Sequence, residues 1–326
     1  MKLKIIDLFS GCGGFSKGFE QAGFEIVAAN DIFKEAAETH KHNHPNTKFI
    51  FGDITKKEVK DEIVSTAKEL GCDGIIGGPP CQAYSLAGNR DPNDSRGKLF
   101  EEYVELVDRI KPSFFVMENV RGILSMKHDG VKVTDTIVDR FRQIGYNVRF
   151  KLLNAADYGV PQKRMRVIFL GSSDKELNFP LPTYGENPEK SLLKYKKWVT
   201  VKDVIDDLKD HDEDLSINHI MANHSEKFLE KLRNTKIGQS GFGNYGESAF
   251  RNPPDQPAIT VKENHGSVLA HYEKNRLMTP RELARLQSFG DDFLFFGPKS
   301  KIFTQICNAV PPLLAKRIAE EINEVY

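Results

Sequence analysis

Short apolar runs alternate with amphipathic stretches through roughly the first half of the chain, and that rhythm demands a parallel sheet with helical crossovers. Leu3–Leu8, Ile26–Ala29, Lys48–Phe51, Gly74–Ile76, Phe114–Met117, Val148–Leu152 and Val167–Leu170 read as strands. Between them, Gly14–Ala22, Lys34–His42, Lys56–Leu70, Lys98–Ile110 and Val133–Ile144 carry helical spacing. Right-handed crossovers then give an α/β fold with a doubly wound, mostly parallel sheet. After Gly171 the rhythm stops. Pro180-Leu181-Pro182, an acidic run from Asp203 to Asp214 and the Gly/Asn-rich Gly238–Gly246 predict a loop-rich or hairpin surface. The sequence therefore divides into a first domain of residues 1–181 and 297–326 and a second, smaller one of 182–296. Pro311–Val325 reads as an amphipathic helix with prolines in its first turn, packing back on the first domain.

A chain of 326 residues, 39% hydrophobic and 28% charged, can bury a sizeable core and has a soluble, globular composition. No apolar run approaches membrane-spanning length, and Asp7 interrupts the N-terminal apolar run, so neither a membrane span nor a signal peptide is expected. The cysteines Cys12, Cys72, Cys81 and Cys307 form no C-x-x-C pair, which argues against zinc and disulfides and for the cytoplasm. The formal net charge is zero, yet Arg140–Arg166 carries seven basic residues against Asp157 alone, a candidate nucleic-acid face. His40, His42 and His44 alternate near a helix end; alternate positions point to different faces, so a helix C-terminus explains them better than a shared metal.

The chemistry gathers where strands end. The first strand runs into Asp7-Leu8-Phe9-Ser10-Gly11-Cys12-Gly13-Gly14-Phe15, a glycine-rich turn before a helix, where backbone amides can approach a nucleotide-like ligand. It lacks the full dinucleotide fingerprint, so NAD is disfavoured. The second and third strands end in Asn30-Asp31, an acid at the place that commonly binds ribose hydroxyls, and Gly52-Asp53, a second acid at the same edge. Each alone reads as a turn or cap residue, and together with the glycine turn they favour an adenosine-type ligand. The fourth leads into Gly77-Gly78-Pro79-Pro80-Cys81-Gln82, whose prolines fix two φ angles and remove two donors, presenting a thiol in a stiff turn. A cysteine in a tight loop would by itself be read as structural, and Glu118 by itself as a helix cap. Together at adjacent strand ends they can converge on one small substrate. Farther on, in Gln162-Lys163-Arg164-Met165-Arg166, the two arginines share one face of an extended segment and suit a phosphate or a carbonyl oxygen.

At this point the sequence resembles DNA (cytosine-5)-methyltransferases. Asp7–Gly14, Pro79–Gln82, Glu118–Val120, Gln162–Arg166, Arg281–Phe289 and Asn308–Pro312 stand in the order of that family's motifs, and the likeness covers all but about Ser172–Pro257. Cys307 departs from the family's usual Gly, which predicts either some backbone strain there or a small shift that absorbs it.

The resemblance implies S-adenosylmethionine as cofactor, no metal, and transfer of its methyl to C5 of a cytosine flipped out of double-stranded DNA. It implies Cys81 as nucleophile at C6, Glu118 on the N3 and amine edge, Arg166 at O2, and Arg164 orienting the site or meeting a phosphate. For the cofactor it implies Phe9, Gly11, Gly13, Gly14 and Phe15, with Asp31 at the ribose and Ile32 beside the adenine. Asp53, Ile54, Pro79, Leu99 and Asn308 complete that set, although Ile32 and Leu99 could equally be core. A monomer paired with a restriction endonuclease is the implied setting, with DNA in the cleft between the domains. A tRNA cytosine methyltransferase of the same family and a catalytically silent DNA-binding protein are the competing readings. Candidate base readers are Arg233, Lys236, Gln239, Asn244, Tyr245 and Arg251, each of which reads more readily as a phosphate contact or plain surface.

Overall fold

On strand β1 (Lys4–Leu8), Ile5, Ile6, Asp7 and Leu8 are all fully buried, as a strand covered on both faces requires. The computed structural model describes residues 2–80, 99–190, 194–241, 248–262 and 269–326. Cys81, Asn244 and Tyr245 lie outside the described residues. Six further strands complete the main sheet: β2 (Glu25–Asp31), β3 (Lys48–Phe51), β4 (Gly74–Gly77), β5 (Phe114–Val120), β6 (Asn147–Asn154) and β7 (Met165–Ser172). Their order is β3-β2-β1-β4-β5-β7-β6. The pairs β1–β2, β2–β3, β1–β4 and β4–β5 are parallel.

Helices α1 (Gly14–Gln21), α2 (Lys34–Asn43), α3 (Lys57–Leu70), α4 (Leu99–Ile110) and α5 (Val133–Gln143) punctuate the strands as the rhythm predicts. In α4, Phe100, Tyr103, Val104 and Val107 recur at helical spacing and are buried. They join one core with Ile75 on β4 and Phe115 and Met117 on β5. Each such side chain contributes roughly 1.5–3 kcal/mol by leaving water. Strand β7 runs antiparallel to β5, with Glu118 opposite Ile168 and Val120 opposite Arg166. Only residues 155–164 connect β6 to β7, too few for a parallel crossover, so the chain turns back. Strand β7 lies between β5 and β6 in the sheet.

The chain folds as two units: Met1–Leu153, Met165–Pro180 and Ala315–Tyr326 form the first, Asn154–Arg164 and Leu181–Leu314 the second. The second includes residues 154–164 and 297–314, which the sequence rhythm groups with the sheet. Side chains explain their membership. Gln162 donates to the Leu286 carbonyl and accepts from the Val261 amide, and Arg164 donates to the carbonyls of Val261, Cys307 and Ala309. Among the described residues this unit carries the α-helices α6 (Val201–Ile205), α7 (Glu226–Asn234), α8 (Pro280–Leu286) and α9 (Lys299–Asn308). Capping boxes Thr200/Asp203 and Thr279/Glu282 start α6 and α8. The last helix, α10 (Pro312–Asn323), brings Tyr326 to the Phe114 ring at 5.3 Å and its hydroxyl to Ser172 at 2.8 Å, so the tail does pack on the first unit. Among the described residues no helix is long and apolar enough to cross a membrane.

Candidate active site

The strand order reverses direction between β1 and β4, and in open α/β sheets ligands bind outside the carboxyl ends at such a switch point. Two of the sequence motifs leave the sheet there, side by side: Leu8 pairs in register with Gly77. A Cβ on Gly77 would collide with the Leu8 carbonyl oxygen, so only glycine allows the two chains to part this closely.

The first motif is a tight loop. Gly11 and Gly13 have φ of 53° and 94°, and Phe9, at 55°, is a left-handed non-glycine residue. Asp31 ties the loop to β2 by accepting the Gly11 amide at 2.7 Å, and its other oxygen accepts the Phe33 amide at 2.8 Å. Burial pushes its carboxyl up, against the pull of those donors. Asp31 thus organises the loop, a role the sequence pattern does not assign to it. Ile32, 61% exposed, is not core, whereas Leu99 packs on the core. Ile54 is core too. Phe15 is buried edge-on against Phe19. Asp53 accepts the amide and hydroxyl of Thr55, and Gly14 opens α1. Asn308 is exposed at the end of α9, in the second unit.

Beneath the loop lies a buried polar chain that sequence reasoning missed. The Ser16 hydroxyl, on the first turn of α1, donates to Asp7 at 2.6 Å and lies 3.3 Å from His40 Nε2. The His40 and His44 rings are 4.4 Å apart, both buried, and His44 Nδ1 is 2.9 Å from Glu20. The alternation argument fails here because His40 and His44 are four residues apart and share a helix face. Burial pushes Asp7 up to about 7 and holds His40 well below its usual range.

Two measurements bear on this layer. A Gly13 Cβ would meet His44 Nε2 at 2.5 Å and His40 Cδ2 at 2.9 Å, whereas at Gly11 nothing lies within 4 Å. Gly13→Ala is expected to destabilise by roughly 3 kcal/mol and Gly11→Ala by about 1, read from denaturant midpoints. The second concerns Asp7, whose folded carboxyl holds its proton to higher pH than the unfolded one. That contribution is complete below about pH 4 and is lost as pH rises toward 7, a swing on the order of 4 kcal/mol. Melting curves of Asp7→Asn should accordingly lack the decline expected of the native chain between about pH 4 and 7.

The second motif, Gly78–Pro79–Pro80, leads directly to Cys81. The Asn119 side chain donates to the Pro79 carbonyl at 3.0 Å, pinning the turn to β5. Next to it on β5, Glu118 pairs with Arg166 of β7, Oε1 to Nε at 2.5 Å, each side chain only 12% exposed. A Cβ on Gly78 would lie 3.3 Å from Glu118 Oε2, so the turn and the carboxylate adjoin. The pair is diagonal across the antiparallel register, within reach of long side chains. Burial pushes the Cys12 and Cys72 thiols up to about 12, and Cys307 is buried in α9.

Other expectations move. Arg164 is 1% exposed, and its guanidinium braces the backbone carbonyls of Val261, Cys307 and Ala309 in the second unit. Cys307 sits in α9 with ordinary helical φ, so the strain expected there is absent. Arg251, buried, donates to the carbonyls of His271 and Leu232; Arg233 pairs with Glu226, while Lys236 and Gln239 are exposed. The basic tract is largely neutralised, since Arg140, Arg142 and Arg149 pair with Glu101, Asp139 and Glu176.

The family model for C-5 cytosine-specific DNA methylases matches residues 3–324. Type II methyltransferase M1.HphI of Haemophilus parahaemolyticus is 39% identical over 339 residues, covering 99% of this chain and 87% of the relative. M.MthTI of Methanothermobacter thermautotrophicus is 35% identical, covering 99% and 98%. An E. coli prophage protein described as a DNA modification methyltransferase superposes with a TM-score of 0.78 at 27% identity, covering 99% of each chain. The S. pombe Dnmt2 methyltransferase shares the fold, with a TM-score of 0.68 at 18% identity.

Proposed function

The chain belongs to the C-5 cytosine-specific DNA methylase family and is a DNA cytosine-5 methyltransferase, and from that premise we propose that it methylates a flipped-out cytosine of duplex DNA through a covalent Cys81–C6 adduct. The observation that carries this reading is the Glu118–Arg166 pair beside Gly78–Pro79, two residues before Cys81. Cytosine C5 is too weak a nucleophile to take a methyl group directly. Addition of the Cys81 thiolate to C6 pushes electrons to C5 and onto N3. Glu118 holds the N3 edge and stabilises the proton there, while Arg166, fixed by Glu118, offers its guanidinium to O2. Once C5 has been alkylated, loss of its proton expels Cys81 and restores the ring. An in-duplex base cannot reach such a pocket, so it leaves the stack.

S-adenosylmethionine fits the glycine loop: the space above Gly11 is open, Asp31 holds the loop through the Gly11 amide, and Ile32 and Phe51 are 61% and 53% exposed at neighbouring strand ends. When bound it supplies an electrophilic methyl group. Phe9, Gly11, Gly13, Gly14, Pro79 and Leu99 would hold it, with Asp31 at the ribose, Ile32 beside the adenine, Asp53 at the adenine amine, and Asn308 closing the site. Phe15 and Ile54 would act from beneath, through packing. The second unit would read the DNA sequence, and the protein would act, as a monomer, as the modification partner of a restriction endonuclease. Transfer of labelled methyl from S-adenosylmethionine to duplex DNA, with tRNA in parallel, tests the reading. Labelled duplex is expected; label in tRNA alone, or in neither, rejects it.

A further inference from the structure

Not every basic surface of this chain is neutralised. Lys194-Tyr195-Lys196-Lys197-Trp198 forms a ridge in the second unit, and its construction differs from the paired arginines of 140–149. Lys194, Lys196 and Lys197 are exposed, and among the described residues none has a carboxylate partner within ion-pair distance. The exposed Glu186 and Glu189, on the preceding stretch, pair with none of them. The ridge is held in place by backbone bonds. Tyr184–Gly185 and Lys196–Lys197 form a short parallel pair, with the Lys196 amide donating to Thr183 and the Trp198 amide to Gly185.

Aromatic rings interleave with the charges. Lys196 Nζ stands 5.8 Å from the Tyr184 ring centre, and Lys163 Nζ 4.8 Å over the ring of Trp198. The indole N–H of Trp198 donates to Asp157 at 2.9 Å, which fixes the half-buried ring. Tyr184 lies over Gly159, whose φ of 90° and lack of a Cβ (one would sit 2.9 Å from the ring) let it seat there. Unpaired lysines on an ordered backbone beside anchored rings suit a polyanion's phosphates. They would position the duplex without reading its sequence.

We propose that this ridge is a phosphate-backbone platform for duplex DNA, an inference that rests on the DNA substrate proposed above. Trp198 is the chain's single tryptophan, so its emission reports on this surface alone. Dye-labelled duplex titrated into the full chain across a salt series gives DNA anisotropy and Trp198 emission together. Emission is expected to change in step with anisotropy. Replacing Lys194, Lys196 and Lys197 together with glutamine should lower the slope of log affinity against log salt by about 2 to 3, at about 0.9 for each phosphate no longer neutralised. Lys57→Gln, at an exposed lysine paired with Asp61 in the first unit, should leave the slope unchanged. A triple variant with the native slope overturns the platform, whatever the emission does. If the native chain binds no duplex at all, the DNA substrate itself fails, and the platform with it.

Discussion

Cys81→Ala is expected to abolish methyl transfer, lowering kcat by at least roughly four orders of magnitude while the chain stays folded. Without a thiolate at C6, C5 never becomes carbanion-like, and no other side chain in the described site can form that bond. Four decades correspond to about 5.4 kcal/mol of lost transition-state stabilisation, within reach of a missing covalent step. The other cysteines offer no substitute, since burial keeps the Cys12 and Cys72 thiols protonated at neutral pH and Cys307 is enclosed in α9. Labelled-methyl transfer to duplex, run beside a circular-dichroism melt, checks the prediction. Activity within tenfold of the native chain would remove Cys81 from the reaction.

Glu118→Gln should lose roughly 10²–10⁴ in kcat with a much smaller change in KM for DNA, because its interaction strengthens as the ring takes up charge. The substitution keeps shape and removes charge, leaving Arg166 in a largely enclosed place without its anion. Two losses therefore combine, and they are coupled. Arg166→Met added to Glu118→Gln should cost less than the sum of the single changes, since each single change already breaks the pair. Steady-state kinetics on the three variants decide this. A Glu118→Gln enzyme with kcat within twofold of native, or strict additivity in the double variant, would contradict the assigned roles.

Much of this was legible in the sequence because the sheet is buried on both faces. Runs such as Ile5-Ile6 and Phe114-Phe115-Val116-Met117 have only one comfortable fate, and acids or glycines directly after them mark strand ends. Hence Asp31, Glu118 and the Gly77–Pro80 turn stand at the expected edge. What the sequence hid depends on spacing in three dimensions. Arg164 and Arg166 are two residues apart and chemically identical, yet one braces carbonyls in the second unit and the other meets Glu118. No local pattern separates them, because the carbonyls that claim Arg164 come from residues about a hundred or more positions away.

The Asp7–Ser16–His40 chain was hidden for a different reason. A polar residue on a buried strand or helix reads as a surface residue unless its partner is known. The four-residue spacing of His40 and His44, set against the alternation of all three histidines, was the one available signal. Cys307 shows the reverse case, where a feared strain vanishes because the position is helical.

The central claim is a covalent bond between Cys81 and cytosine C6, and it can be trapped. In a duplex whose target cytosine carries fluorine at C5, the ring can add the thiolate and accept the methyl group. It cannot then release fluorine as a cation, so elimination stalls with Cys81 attached. Mass spectrometry of the digested complex should find the nucleotide on the peptide containing Cys81, and no adduct with Cys81→Ala. An adduct on any other residue, or methylated product without any adduct, would contradict the mechanism.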